Sequence, residues 1–290
     1  MTLSHEKTLV LCGGLQSGGT TLISYCFLQR GDTDGVLDAP TDLLPAIDPR
    51  LARPIAWYKA KISCFRLSEI AHHYRDAGWN VRPLLVLRDL RTVWASLRKK
   101  AYGCNGITAE DPPLRLRMRR FVEDSRLYES CGAARLRYED FIAAPSSTLK
   151  KVCVQLGLPW DEAMLTWSKP QARISDRENG NDSFWDSLSS DLHETIARYQ
   201  QKLRALRIPA RDLEWLEREF REFNKVNGYP QHLDNVQDET ASGGDGAEPS
   251  FEVTRRYQWE TRRKPLRWIL SRLGWPNKKL IDQRSSRRAA

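Results

Sequence analysis

The sequence lacks any long apolar run. No stretch of its 290 residues approaches the roughly 18 consecutive apolar residues of a membrane-spanning helix, and its first residues contain no apolar segment of the signal-peptide type. Its six cysteines form no Cys-x-x-Cys pair and show no metal-like spacing. Three of them, Cys12, Cys26 and Cys153, lie in apolar segments. These absences predict a cytoplasmic protein with buried, reduced thiols, and they indicate no metal site.

Most of the chain also lacks an excess of positive charge. The whole chain has 46 Lys and Arg against 37 Asp and Glu, a net charge of +9. Residues 251–290 contain 12 basic and 3 acidic residues, which accounts for all of that net charge, and residues 1–250 carry 34 of each sign. We therefore do not expect the main body to bind nucleic acid.

Strand-like and helix-like segments alternate along the first half of the chain. Strands are predicted at 7–12, 55–63, 81–87 and 134–138, and helices at 20–30, 66–77, 92–100 and 113–130. After Pro145, helices dominate, at 146–156, 159–167, 188–206 and 209–226. This order predicts an α/β fold with a parallel central sheet flanked by helices and a mostly helical C-terminal half.

The end of the chain forms a separate unit. Residues 233–250 are polar and glycine-rich, which predicts a flexible linker between a domain at 1–232 and a tail at 251–290. Within the tail, apolar residues share one helical face at Leu266, Ile269, Leu270 and Leu273. This basic amphipathic helix, 262–275, predicts either binding to an anionic membrane surface, peripheral on its inner face, or docking on the domain or a partner.

A glycine-rich turn between the first predicted strand and helix contains no lysine. The turn contains Gly13, Gly14, Gly18 and Gly19 and is followed by Thr20 and Thr21. Backbone N–H groups at such a turn and the start of the next helix form an anion site, unless the turn binds nothing. The Walker pattern would place lysine at Thr20. Its absence argues against ATP hydrolysis or phosphoryl transfer, which need that cation.

A second candidate motif follows the predicted strand 81–87. Arg88 comes at the carboxyl end of this strand, and Ser96 lies about two turns into the following helix. Ligands of open α/β sheets bind at that edge, and an arginine with a serine hydroxyl suits a second, dianionic phosphate. The alternative is a local Arg88–Asp89 ion pair with Ser96 on a solvated face.

A third motif completes an order typical of one family. Leu136-Arg-Tyr-Glu-Asp-Phe141 is followed by Leu156-Gly-Leu158. Over residues 8–232 the chain resembles the sulfotransferases that use 3′-phosphoadenosine 5′-phosphosulfate (PAPS). The resemblance implies a P-loop NTPase-like fold, PAPS as sulfuryl donor, a hydroxyl-bearing acceptor, and no requirement for a Walker lysine or a metal.

The resemblance also implies roles for individual residues. The 5′-phosphosulfate would be held by Gln16, Ser17, Gly18, Gly19, Thr20 and Thr21, and the 3′-phosphate by Arg88 and Ser96. A further cofactor segment is expected in 169–185, where Lys169, Arg173 and Arg177 are candidates and Arg173 is chosen. Tyr138, Glu139 and Asp140 resemble a structural strand end and receive no chemical role.

Gln16 departs from the family, which usually carries Lys or Arg there. Gln16 can donate hydrogen bonds to the transferring group but cannot neutralise charge, so either turnover is slower or another cation substitutes. Of Lys59 and Lys61, at the end of the second predicted strand, we favour Lys61.

Three residues are candidates for the general base. His72 is the chosen candidate, and His73 and Glu69 on the same predicted helix are alternatives. The basic run 115–120 is compatible with a surface for an anionic acceptor and with the solvated side of a helix.

The predicted function is sulfuryl transfer from PAPS to a saccharide, lipid-linked or small-molecule alcohol. One alternative is a degenerate P-loop kinase or NTPase. The other is a non-catalytic, membrane-associated protein on a sulfotransferase scaffold.

Overall fold

The computed structural model describes most of the predicted domain. The described residues are 7–36, 53–61, 66–98, 114–169, 174, 191–204 and 208–230. The predicted linker 233–250, the tail 251–290 with its helix 262–275, and Arg173 and Arg177 lie outside the described residues.

The core of the fold is a parallel sheet of five strands. They are β1 (Thr8–Gly14), β2 (Thr33–Val36), β3 (Ile55–Lys61), β4 (Asn80–Leu87) and β5 (Ala134–Arg137), in the spatial order β2-β3-β1-β4-β5. The predicted α/β class with a parallel central sheet is therefore confirmed. Sequence reasoning missed β2, because this edge strand, Thr-Asp-Gly-Val, contains a single large apolar residue.

Helices cover the sheet and form most of the second half of the chain. They are α1 (Thr20–Leu28), α2 (Leu67–Asp76), α3 (Leu90–Arg98), α4 (Leu114–Ser130), α5 (Tyr138–Ala143), α6 (Pro145–Gln155), α7 (Ala163–Thr166), α8 (Leu192–Arg204) and α9 (Ala210–Val226). Helix α7 is shorter than predicted and ends where Trp167 adopts a left-handed backbone, with φ 49°. Tyr138, predicted as the last strand residue, instead begins the short helix α5.

Alternation along the strands divides the core into two layers. Leu9 and Leu11 of β1 face the layer that contains α2, α3, α4 and α9, whereas Val10 and Cys12 face the layer with α1, α5 and α6. Both faces of β1 are buried, as expected for a parallel strand covered by helices on both sides. Cys12, Cys26 and Cys153 are buried free thiols, as predicted, and burial raises the pKa of Cys12 and of Cys26 to about 12.

Aromatic packing fixes α1 against the sheet. The fully buried rings of Phe27 and Trp57 stack with centroids 4.4 Å apart. Such a pair contributes about 0.5–1.5 kcal/mol beyond its buried area. It sets the distance between α1 and β3, and hence the position of the β3 residues that follow Trp57.

The chain order locates the ligand-binding edge. From β1 the chain continues toward β2 and β3 on one side, and from β4 it continues toward β5 on the other. Ligands of open α/β sheets bind at the carboxyl ends of strands where this direction reverses, which is here between β1 and β4. None of the helices in the described ranges combines the length and the apolar character that crossing a membrane requires.

Candidate functional site

The turn after β1 has the backbone of an anion-binding loop. The Gly18 N–H donates to the Leu15 carbonyl at 2.8 Å, and Ser17 and Gly19 have positive φ angles of 60° and 91°. Gly19 is the N-cap of α1, which has no side-chain cap and no acidic residue in its first turn. The N-terminal N–H groups of α1 are therefore not neutralised by a carboxylate of that turn, and the helix dipole favours an anion there.

Gly19 packs directly on the ring of Tyr138. A Cβ atom at position 19 would lie 2.2 Å from Tyr138 Cδ2, which leaves no room for any side chain. Tyr138 is itself 1% exposed, and burial raises its pKa to about 12. The buried ring of Tyr138 therefore supports the loop at Gly19. This packing gives a physical reason for a tyrosine in the Tyr-Glu-Asp motif.

Arg88 joins the end of β4 to the loop. Its Nη1 donates to the Ser17 carbonyl, its Nε donates to Thr92 Oγ1 at 3.1 Å, and its guanidinium lies 4.6 Å from the Tyr138 ring centroid. These partners carry no formal charge, although the side chain is only 8% exposed. A buried arginine with uncharged partners keeps its positive charge available to an anion at this edge.

The Arg88–Asp89 ion pair, considered above as an alternative, does not form. Asp89 instead pairs with Arg91, with Oδ2 2.6 Å from Nη2, and both side chains are buried. This neighbouring pair leaves Arg88 oriented toward the loop.

Lys59 reaches the loop from β3. Its Nζ lies 2.8 Å from Thr21 Oγ1, and the side chain is 6% exposed. Lys59 lies opposite Cys12 in the sheet and has the strand parity of Trp57, so it faces α1. Lys61, the favoured substitute cation, shares this parity at the end of β3, but its side chain lies outside what the structure describes, and its role stays a prediction.

The side chain of Gln16 accepts a hydrogen bond from an arginine on a distant helix. Nη1 of Arg117, on α4, donates to Gln16 Oε1 at 2.9 Å, and Arg117 is 5% exposed. Sequence reasoning missed this contact, because the two residues are 101 positions apart. Arg117 belongs to the run 115–120, and it is buried instead of lying on a solvated helix side. The burial of Arg117, although not its partner, could have been inferred from the sequence, since Arg117 has helical spacing with the apolar Phe121.

The comparisons with known proteins bear on the fold. No protein-family model and no curated protein matches the chain. Among solved structures, the sulfotransferase domain from the curacin biosynthetic pathway matches with a TM-score of 0.53 at 13% identity, covering 77% of this chain and 98% of that chain. The chain has the sulfotransferase fold.

Two further structures are similar at lower scores. The sulfotransferase domain from the Synechococcus PCC 7002 olefin synthase has a TM-score of 0.48 at 14% identity, covering 76% of this chain and 98% of that chain. Retinol dehydratase, in a complex with retinol and PAP, has a TM-score of 0.42 at 12% identity, covering 76% and 82%. Because these scores are below 0.5, the fold assignment rests on the curacin-pathway domain and on the sheet itself.

Within this sulfotransferase fold, the three candidate bases all lie on α2. His72 is exposed, and its Nε2 lies 3.5 Å from Asp76 Oδ2. His73 is buried with its ring against Tyr74, and Glu69 accepts a hydrogen bond from the Arg66 N–H at 2.7 Å, which caps the helix. The role of His72 as general base stays a prediction.

Ser96 and Lys169 have different surroundings. Ser96 is half-buried on α3, two turns after Arg88, and its role toward a 3′-phosphate stays a prediction. Lys169 donates to the carbonyls of Leu28 and Thr33, at 2.9 and 3.2 Å, just beyond the C-terminal end of α1. Since α1 spans nine residues, this position is about 13 Å along the helix from the loop, and Lys169 acts there as a cap.

Glu139 ties the β5–α5 junction to β4. Its Oε1 accepts a hydrogen bond from the Asp89 N–H at 3.0 Å. Burial is the largest cause of the raised pKa of this carboxyl group, and the nearby Arg88 only partly opposes it. Glu139 thus helps to hold the segment that carries Arg88 beside the segment that carries Tyr138. No cluster of three or more potential metal-ligating side chains occurs within the described ranges.

Proposed function

We propose that the protein is a sulfotransferase that moves a sulfuryl group from PAPS to a hydroxyl group of an acceptor. One observation carries the proposal. Three buried cationic side chains, from three different elements, contact the same loop: Lys59 at Thr21, Arg88 at Ser17 and Arg117 at Gln16. A loop that several buried cationic side chains contact is suited to an anionic ligand.

The groups around the loop fit PAPS in number and type. PAPS carries a 5′-phosphosulfate and a separate 3′-phosphate. The first suits the N-terminal N–H groups of α1, the hydroxyl of Thr21 and the ammonium of Lys59. The second suits Arg88 with Ser96, at the end of β4 and on the helix that follows. None of these groups requires a metal ion as an intermediary.

The residues of the chain would act by positioning and by charge. PAPS supplies an activated sulfuryl group and a phosphate leaving group. Lys59 and the first N–H groups of α1 stabilise negative charge that develops at the 5′ end, in a site where buried donors are already oriented. The acceptor class we propose is a saccharide, lipid-linked or small-molecule alcohol, which is the class predicted from the sequence.

A degenerate kinase or NTPase is the second candidate. It is favoured only by the general shape of the loop, and the residue at the Walker lysine position, Thr20, argues against it. The two candidates differ in the nucleotide that they bind.

Nucleotide-dependent thermal stabilisation tests the proposal. The protein would be melted with 3′-phosphoadenosine 5′-phosphate (PAP), with ADP, and with ATP and Mg²⁺. A nucleotide at 100 times its Kd stabilises by about 2.7 kcal/mol, which is a visible shift in Tm. We expect a shift with PAP alone. A shift with ATP and not with PAP would instead support the kinase candidate.

Arg88→Ala is the first variant to compare. Because it removes a charge-assisted partner of the nucleotide, we expect PAP affinity to fall by about 10- to 100-fold. Arg82→Ala is a matched control. Arg82 is on β4, the strand that Arg88 follows, and it also donates to backbone carbonyls, those of Leu156 and Gly157 instead of the loop. Equal losses of PAP affinity in both variants would contradict the assignment of Arg88.

A further inference from the structure

Among the contacts with the loop, that of Arg117 with Gln16 joins two side chains. We propose that Arg117 is a positioning residue for Gln16, and that the pair supplies the positive charge and the N–H donors that this loop presents to the 5′-phosphosulfate. The inference rests on the proposed function, because it names how that same site recognises its anionic substrate.

The contact determines which end of the Gln16 amide meets Arg117 and which end is left for a ligand. A guanidinium has only donors, so Arg117 Nη1 at 2.9 Å must meet the amide oxygen Oε1. The amino group Nε2 then points away from Arg117, and in the described part of the chain it donates to no other group. The same side chain without Arg117 could present its oxygen, which would repel an anion.

The charge of Arg117 strengthens these donors. Hydrogen bonds to an ionised partner are stronger than neutral ones, and a polarised amide is a better donor at its other end. The pair therefore provides a neutral donor, the Gln16 amino group, in the loop. The Arg117 guanidinium is bonded to the other end of the same amide. A lysine or arginine at position 16 would instead bring two cations within hydrogen-bond distance of each other, which is unfavourable in a buried site.

The surrounding structure holds Arg117 in place. The side chains of Met118 and Phe121 on α4 are fully or almost fully buried. The guanidinium of Arg115 lies 4.4 Å from the Trp215 ring centroid, which fixes the preceding part of the helix against α9. With α4 anchored in this way and only 5% of Arg117 exposed, the guanidinium is fixed behind the loop.

The test compares two nucleotides that differ only at the 5′ end. The Kd values of PAPS and of PAP would be measured by calorimetry for wild type, Arg117→Met and Arg119→Met. We expect Arg117→Met to weaken PAPS binding about 10- to 100-fold and to affect PAP less, so that the preference for PAPS falls. Arg119→Met is the matched control on the same helix, because Arg119 is exposed and pairs with Glu219; its preference should not change.

A double-mutant cycle separates positioning from a direct effect. If Arg117 acts through Gln16, then Gln16→Met alone lowers the PAPS preference, and adding Arg117→Met to it has little further effect. Arg117→Lys keeps the charge and should retain part of the preference. Gln16→Met and Arg117→Lys leave a cation at position 117, so they carry the test even where Arg117→Met does not fold.

The possible outcomes distinguish a failure of this inference from a failure of the proposed function. A wild-type protein that binds neither PAPS nor PAP would overturn the proposed function and the inference together. If the wild type binds both nucleotides and Arg117→Met or Gln16→Met keeps the same preference for PAPS over PAP, the inference is wrong. The proposed function would not be affected. Additive losses in the cycle would also overturn it.

Discussion

At the scale of single residues, the loop depends on a close contact as much as on charge. Gly19 combines a left-handed backbone, with φ 91°, and direct contact with the Tyr138 ring. Only glycine meets both requirements, since any Cβ would strain the backbone and overlap the ring. The position of the first helical N–H groups therefore depends on the absence of a side chain at one site.

Gly19→Ala tests this contact, with Gly78→Ala as its control. Gly78 also has a positive φ, 85°, but an added Cβ there meets nothing within 4 Å. Gly78→Ala should lower the free energy of unfolding by about 1–2 kcal/mol from backbone strain alone. Gly19→Ala should lower it by roughly a further 1–3 kcal/mol through overpacking, and should weaken PAP binding. Urea unfolding measures both variants, and equal losses would show that the Tyr138 contact is unimportant.

At the scale of elements, the site depends on how the ends of neighbouring strands are joined. Arg88 follows β4 and Tyr138 follows β5, and the Glu139–Asp89 hydrogen bond links the two ends. Arg88 and the ring of Tyr138 therefore belong to one junction, although they are 50 residues apart in the chain. A buried carboxylate at such a junction makes the stability of the fold depend on pH.

Glu139→Gln tests that dependence. Burial raises the folded-state pKa of Glu139 above its ordinary value of 4.5, so between the two values the folded state holds more protons than the unfolded chain. The contribution of Glu139 to stability is then fully present below pH 4.5 and is lost as the pH rises through the folded-state pKa. A glutamine can still accept the Asp89 hydrogen bond without ionising.

We therefore expect Glu139→Gln to gain stability relative to wild type as the pH rises from about 4 to 7. Urea unfolding of both proteins at several pH values measures the difference. A variant that loses stability relative to wild type over this range would show that the carboxylate is stabilised in its charged form.

At the scale of the whole molecule, the charge distribution separates two parts. Residues 1–250 balance at 34 charges of each sign, and the net charge of +9 belongs to residues 251–290. We propose that the basic segment 262–275, predicted as an amphipathic helix, attaches the protein to an anionic membrane surface. Each basic residue near such a surface contributes about 1 kcal/mol at physiological salt.

Deletion of 251–290 tests the attachment. The full chain should sediment with phosphatidylserine-containing vesicles at low salt, and the shortened chain should not. PAP binding should persist in the shortened chain, since the cationic groups around the loop all precede residue 233. Unchanged sedimentation would exclude the membrane role, and a lowered Tm of the shortened chain would favour docking of the tail on the domain.

The sequence by itself determined the features that depend on neighbouring residues. Apolar runs and the glycine-rich turn predicted β1, the loop and α1, and the run before Arg88 predicted β4, because these patterns report local backbone geometry and burial. The order of the motifs also predicted the sulfotransferase fold. Arg88 was identified from its position at the end of an apolar strand.

Only the tertiary structure decided which distant side chains reach the loop. The sequence could not reveal that Lys59 contacts Thr21, because this depends on the spacing that Phe27 and Trp57 set between α1 and β3. Nor could it place Arg117 behind Gln16, because the packing of α4 closes a contact across 101 residues. Contacts of that kind follow from how helices pack on the sheet, and no local pattern encodes them.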